Sequence, residues 1–185
     1  MMPRKPNTHG GGAKTNKTGL SFEQETDLKT YLISQAFCVD THGMVSKDNI
    51  FWGYLVPKYD LYTKFLQPRK IDYKKVISRR LLPDEAFINE QNKVAYIIEK
   101  KHQTQDGSVD EKLAVCEFKR QEYEKLLNPL GYTVVFIFLL SEWFYTRQEK
   151  YRDILEYVHS KQVPIFYFQV EIAALGLASN EHTIS

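Results

Sequence analysis

Cysteine is scarce, with only Cys38 and Cys116 in 185 residues. A disulfide framework needs more cysteines in a smaller chain. Structural zinc needs Cys/His pairs at close spacing, and none of the five histidines supplies one. No apolar signal segment opens the chain and no apolar run approaches the roughly 20 residues of a membrane span. The expectation is a cytoplasmic protein with free thiols and no membrane. A strong excess of charge of one sign is also missing: a net charge of +2 and a pI near 8.4 announce no polyanionic partner by themselves. The run from Gly10 to Thr15 lacks the Gly-Lys-Ser/Thr order of a phosphate loop and no strand precedes it, which excludes nucleotide binding there.

What is present is apolar and aromatic, 43% and 14% of the chain, enough for one good core and too little for two. Residues 1–19 are polar, glycine-rich and basic without an acid, and read as a flexible basic arm. Residues 20–185 read as a single domain. Ser21 as N-cap with Gln24 three residues on opens a first helix carrying Leu28, Tyr31, Leu32 and Ala36, ending before Asp40. Residues 49–62 are aromatic and turn-rich, strand or irregular.

Within 58–80, Lys58, Lys64, Arg69, Lys70, Lys74, Lys75, Arg79 and Arg80 stand against only Asp60 and Asp72, interleaved with Tyr59, Tyr62, Phe65 and Tyr73. Such a mixture can hold phosphates and cover sugars or bases, or it can be a solvated face with aromatic anchors. Further on, 81–88 and 94–102 form two apolar strands about the polar turn 89–93, a hairpin. Ser108 and Glu111 form a capping box for a helix reaching about Leu127, which Gly131 terminates. Residues 133–140, TVVFIFLL, have the almost unbroken apolar pattern of a strand buried on both faces. A helix near 148–160 and a strand near 163–169 complete an α/β sandwich with a central mixed sheet flanked by helices. Trp52 and Trp143 read as packing residues.

Alternation along the second hairpin strand puts Glu99 and Lys101 on one face. The hairpin can bring Asp84, 15 residues before Glu99, opposite the end of that strand. Two carboxylates and an amine thus converge. Phosphodiester hydrolysis needs such groups: hard oxygen ligands for one or two Mg²⁺ ions, here Asp84 and Glu99, and an amine, Lys101, to orient the attacking water and offset phosphate charge. The backbone carbonyl of Lys100 is a third metal ligand by position. The competing reading is a strand-end ion pair beside a turn residue that follows Pro83.

Pro83-Asp84 with Glu99-Lys100-Lys101, the hairpin around them, the helix after the E-x-K strand and the buried strand beyond resemble the PD-(D/E)XK nuclease superfamily, most closely its type II restriction endonucleases. The resemblance covers about residues 20–170 and implies the restriction-endonuclease-like fold, Mg²⁺, double-stranded DNA as substrate and a homodimer cutting at a specific site. It implies an acidic residue of the first helix supporting the metal, Glu23 by position or Glu25, which shares the stripe of Leu28 and Leu32. It makes Gln103, Gln105, Ser108, Asp110 and Lys112 candidates for contacting DNA near the scissile phosphate, though a polar loop and a capped helix explain them as well. Repair, junction-resolving and nicking nucleases share the resemblance. A non-catalytic DNA-binding module is the alternative of another class.

Overall fold

The computed structural model describes residues 12–104 and 110–177. They form an α/β fold around one seven-stranded mixed sheet whose strands lie side by side in chain order: β1 (Cys38–Val39), β2 (Met44–Lys47), β3 (Ile50–Leu55), β4 (Glu85–Asn89), β5 (Val94–Lys101), β6 (Thr133–Leu140) and β7 (Ile165–Tyr167). The first five strands pair antiparallel, and β5–β6 and β6–β7 pair parallel. Each parallel pair needs a crossover. Helix α3 (Cys116–Leu127) supplies the first, and α4 (Glu142–Tyr145) with α5 (Arg152–Ser160) supplies the second.

Alternation divides the sheet side chains between two cores. Ala86, Ile88, Ala95 and Ile97 face one, with Cys116, Tyr123, Leu126 and Leu127 of α3 and Leu155 and Val158 of α5. Phe87, Tyr96 and Ile98 face the other, with Phe22 of α1 (Gly12–Glu25) and Leu28 and Leu32 of α2 (Leu28–Ser34). β6 is buried along nearly all of its length because both layers cover it, as its almost unbroken apolar pattern requires. β3 crosses close to β4 at Gly53, where a Cβ would stand 1.9 Å from the Ile88 carbonyl oxygen, so only glycine fits.

Several elements differ from the sequence reading. The first helix is two: α1 begins at Gly12, inside the segment read as a flexible arm, and breaks at Thr26–Asp27, where Asp27 caps α2 by accepting from the Thr30 N–H at 2.7 Å. Ser21 lies inside α1 and donates to Glu25 instead of capping. The two-residue β1 and the four-residue β2 are too brief to stand out by periodicity, and Gly53 interrupts the apolar run of β3. The basic segment folds as short helical turns at Leu61–Leu66, Gln67–Arg69 and Tyr73–Lys75. Glu111 sits in a single 3-10 turn, Asp110–Leu113, ahead of α3, while Ser108, like Gln105 and most of the arm, lies outside the described residues. Among the described residues, no helix is long and apolar enough to cross a membrane.

Candidate active site

The β4–β5 hairpin pairs Glu85 with Ile98 and Ala86 with Ile97, so the register continued by one residue sets Asp84 opposite Glu99. Opposed residues share a face and have Cβ atoms about 5 Å apart. The Lys100 backbone N–H ties the junction by donating to Asp84 Oδ2 at 2.7 Å. Asp84, Glu99 and Lys101 therefore gather on the α3 side at the end of the hairpin.

Glu99 is 6% exposed and heavily solicited on one oxygen. Lys101 Nζ donates to Oε1 at 2.8 Å and to the Lys100 carbonyl at 3.1 Å, while Lys119 Nζ, from α3, donates to the same Oε1 at 2.6 Å. Oε2 is buried with no hydrogen-bond partner among the described residues. Burial would raise the Glu99 pKa, but the two ammonium groups outweigh it and hold the carboxyl below its ordinary value. Asp84 goes the other way: burial, and then the Glu99 charge, push it up against the Lys100 N–H and Lys101. Tyr123, one turn after Lys119 on α3, is buried, and its hydroxyl has no hydrogen-bond partner among the described residues. Burial, Tyr62 and the charges of Glu99 and Asp84 push that hydroxyl up, which places it within the field of both carboxylates.

Lys119 and Tyr123 do not stand out in the sequence by motif. A signal is there nonetheless: Cys116, Lys119, Tyr123 and Leu126 follow helical spacing, so Lys119 is a cation on an otherwise buried stripe.

The opposite face is also charged. Lys100 Nζ donates to Glu85 Oε1 at 2.9 Å with both side chains buried, and it reaches the Glu23 carbonyl at 3.4 Å. This pair docks α1 against the strand ends and borders a cleft of about 440 Å³ lined by Glu23, Lys58, Asp84, Glu85 and Lys100. Glu23 is exposed, pairs with Lys58 at 3.4 Å and adds its charge to those raising Asp84. Glu25 is exposed too, and its neighbour is His102. The stripe argument for Glu25 fails because the chain breaks between α1 and α2, so the Leu28 periodicity does not extend back to it. Of the two acids, Glu23 is the one near Asp84, yet the helix flanking both carboxylates is α3.

The basic segment does not act as one surface. Arg69 lies at the far end of the hairpin, 3.7 Å from Glu90 and 3.8 Å over the Phe65 ring. Six residues of strand, roughly 20 Å at about 3.3 Å each, separate that end from Asp84. Lys64 pairs with Asp60 at 2.7 Å. Lys75 and Arg79 are exposed, and Arg80 lies over Tyr59, Tyr62 and Tyr73 at 5.4, 5.9 and 5.0 Å. Lys70, Lys74 and Arg80, with the Tyr62 and Tyr73 rings, border an open pocket of about 450 Å³. Tyr62 anchors it toward the site by donating to the Leu81 carbonyl at 2.7 Å.

Lys112 is exposed before α3. Gln103 is turned inward, its N–H donating to Ser141 Oγ at 3.2 Å and its amide to Tyr151 at 3.4 Å, so it braces β5 against α4 and does not face solvent. Trp143 donates to the Tyr151 hydroxyl at 2.9 Å, and Trp52 packs on Phe37, both as packing residues.

Among the described residues, no three His, Cys, Asp or Glu side chains gather closely enough to hold a metal ion by themselves. The donor set for a hard cation is two carboxylates plus the Lys100 carbonyl, and the buried, unpartnered Glu99 Oε2 fits such a cation. Comparison with protein-family models, curated proteins and solved structures gives no match for the chain.

Proposed function

We propose that this protein is a cytoplasmic, Mg²⁺-dependent endonuclease of the PD-(D/E)XK kind, hydrolysing phosphodiester bonds of double-stranded DNA. Within that class we favour a site-specific enzyme of the restriction type acting as a homodimer, one site for each strand. The observation that carries the reading is the opposition of Asp84 and Glu99 on one face, with Lys101 on Glu99 and a buried carboxylate oxygen unpartnered. A strand-end ion pair needs only one lysine, as the buried Lys100–Glu85 pair on the opposite face shows. Here the acid is buried, doubly approached and held ionised.

Asp84, Glu99 and the Lys100 carbonyl are the groups that would hold the metal, which supplies Lewis-acid stabilisation of the phosphate and a more acidic water. Lys101 orients the attacking water and offsets charge on the phosphate oxygens as the water gives up a proton to solvent and its oxygen bonds to phosphorus. The bond from phosphorus to the leaving sugar oxygen breaks, and that oxygen takes a proton from solvent. The low exposure of Glu99 and Lys101 strengthens each of these interactions.

Incubating the protein with a supercoiled plasmid in Mg²⁺ and in EDTA tests this. Discrete linear fragments only with Mg²⁺ are expected, and sedimentation with a cleaved-site duplex should show two chains per duplex. No cleavage with Mg²⁺ or Mn²⁺, or undiminished cleavage by folded Glu99→Ala, would sink the proposal.

A further inference from the structure

We propose that Lys119 is a second substrate-touching lysine, a group of α3 that exchanges Glu99 for the scissile phosphate. The inference rests on the nuclease reading of Asp84, Glu99 and Lys101.

The charges of α3 are distributed unevenly. The other basic side chains of the helix are matched by acids on the same helix: Arg120 by Glu117 and Glu124, and Lys125 by Glu122. Those pairs are three or four residues apart, the spacing at which helix neighbours meet. Lys119 follows a different pattern. It lies on the buried stripe with Cys116 and Tyr123, reaches across to β5 and meets Glu99 Oε1 at 2.6 Å, its side chain 23% exposed.

That pairing is poorly arranged for stability alone. Glu99 already has Lys101 at 2.8 Å on the same oxygen, while its second oxygen has no partner among the described residues. Two ammonium groups crowding one oxygen repel each other, and an arrangement serving only the fold would spread them over both. The crowding sets both cationic donors on Oε1 and leaves Oε2 buried without a donor among the described residues.

The consequence concerns what the lysines do when Glu99 engages a hard cation. A half-buried ammonium released by one anion gains by meeting another, because leaving it unpaired carries part of the cost of a buried charge. The non-bridging oxygens of a phosphodiester are such an anion, and they arrive at the same place. Lys101 reaches them from the strand and Lys119 from the helix, so charge developing on the phosphate meets donors from two elements. In the free protein, Glu99 keeps both lysines ordered, so little is lost in positioning them when substrate binds.

The test uses the full chain, with Lys119→Ala, Lys119→Arg and Lys119→Met, the last preserving the buried stem if the alanine variant fails to fold. Single-turnover cleavage of a duplex in Mg²⁺ should slow at least ~10-fold for Lys119→Ala and Lys119→Met, with partial recovery in Lys119→Arg, because losing one preorganised charged donor costs about that or more. Binding gives an independent readout. With Ca²⁺ as the probe cation, the slope of log affinity against log salt should fall by about one unit in Lys119→Ala, and in EDTA it should not change, since Lys119 is then held by Glu99. Parental cleavage together with an unchanged slope in Ca²⁺ would overturn the role of Lys119, as would an equal loss of slope in both conditions. If folded Glu99→Ala is inactive while Lys119→Ala cuts at the parental rate, Lys119 alone is misassigned. A parent protein that cuts nothing brings down the nuclease reading, and the role of Lys119 with it.

Discussion

Asp84 and Glu99 stand one residue beyond the last paired rung of the β4–β5 hairpin, Glu85 with Ile98, and their surroundings drive their protonation equilibria apart. Burial and the Glu99 charge raise Asp84, whereas Lys101 and Lys119 overcome burial and lower Glu99. Two carboxylates with divergent pKa values at one site are the pattern of groups with separate tasks.

The divergence makes opposite predictions for stability. Asp84 binds its proton more tightly when folded than when unfolded, so its contribution is fully present below the ordinary value of 3.8 and is lost as pH rises through the raised native value. Asp84→Asn should therefore melt higher than the parent at pH 7, by about 2–4 °C for each kcal/mol relieved, and match it below 3.8. Glu99, lowered from 4.5, contributes above that value and loses the contribution as pH falls through its lower native value. Glu99→Gln should melt lower than the parent at pH 7 and converge with it in acid. Melts of the metal-free protein between pH 3 and 8 read both, and a lower melting point for Asp84→Asn at pH 7 would contradict the assignment.

Catalysis should fail at each of the three central groups. On the proposed mechanism Asp84→Ala and Glu99→Ala remove the proposed metal ligands and Lys101→Ala leaves the water unoriented, so each should slow single-turnover cleavage by at least ~100-fold while the fold survives. DNA binding should persist, and without metal the two carboxylate variants should bind as tightly as the parent or more so, because repulsion with the phosphate is reduced. Ca²⁺ should support binding without cutting. Gel shifts beside cleavage rates check all of this, and near-parental cleavage by folded Lys101→Ala would refute its role.

The Lys100–Glu85 pair should behave as a buried ion pair that anchors α1. Lys100→Met leaves Glu85 without its cation at 5% exposure, and breaking one side of such a pair costs about 3–5 kcal/mol. The loss should shrink in acid, since burial already raises Glu85 and a neutral carboxyl needs no partner. Adding Glu85→Leu to Lys100→Met should recover most of the stability. Denaturant unfolding at pH 5 and pH 8 measures it, and an additive double variant would show the two are not coupled.

Basic residues 64–80 should divide into two groups. Neutralising Lys70 and Lys74, or Arg79 and Arg80, should weaken DNA binding and reduce the salt slope by about one unit for each phosphate left without its cation. Arg69→Ala should instead lower stability with the slope unchanged, because its guanidinium lies over Phe65 beside Glu90 at the far end of the hairpin. A fall in slope for Arg69→Ala equal to that of the Arg80 variants would return Arg69 to the DNA surface.

Local pattern carried much of the architecture. The seven apolar residues of β6, the hairpin about the 89–93 turn and the shared face of Glu99 and Lys101 follow from periodicity and turn chemistry, which act over a few residues. The break at Asp27, the short β1 and β2 and the inward turn of Gln103 do not, because the interactions that decide them come from distant segments. The site divides along the same line. Sequence alone determined that two acids and a lysine could meet at a strand end. Only the tertiary structure decided that α3 covers their face, that Lys119, 20 residues beyond Glu99, shares that acid with Lys101, and that Arg69 lies at the far end of the hairpin beside Glu90. Helical spacing marks a buried stripe, but which strand it meets is set by the crossover from β5 to β6, and no local pattern encodes that register.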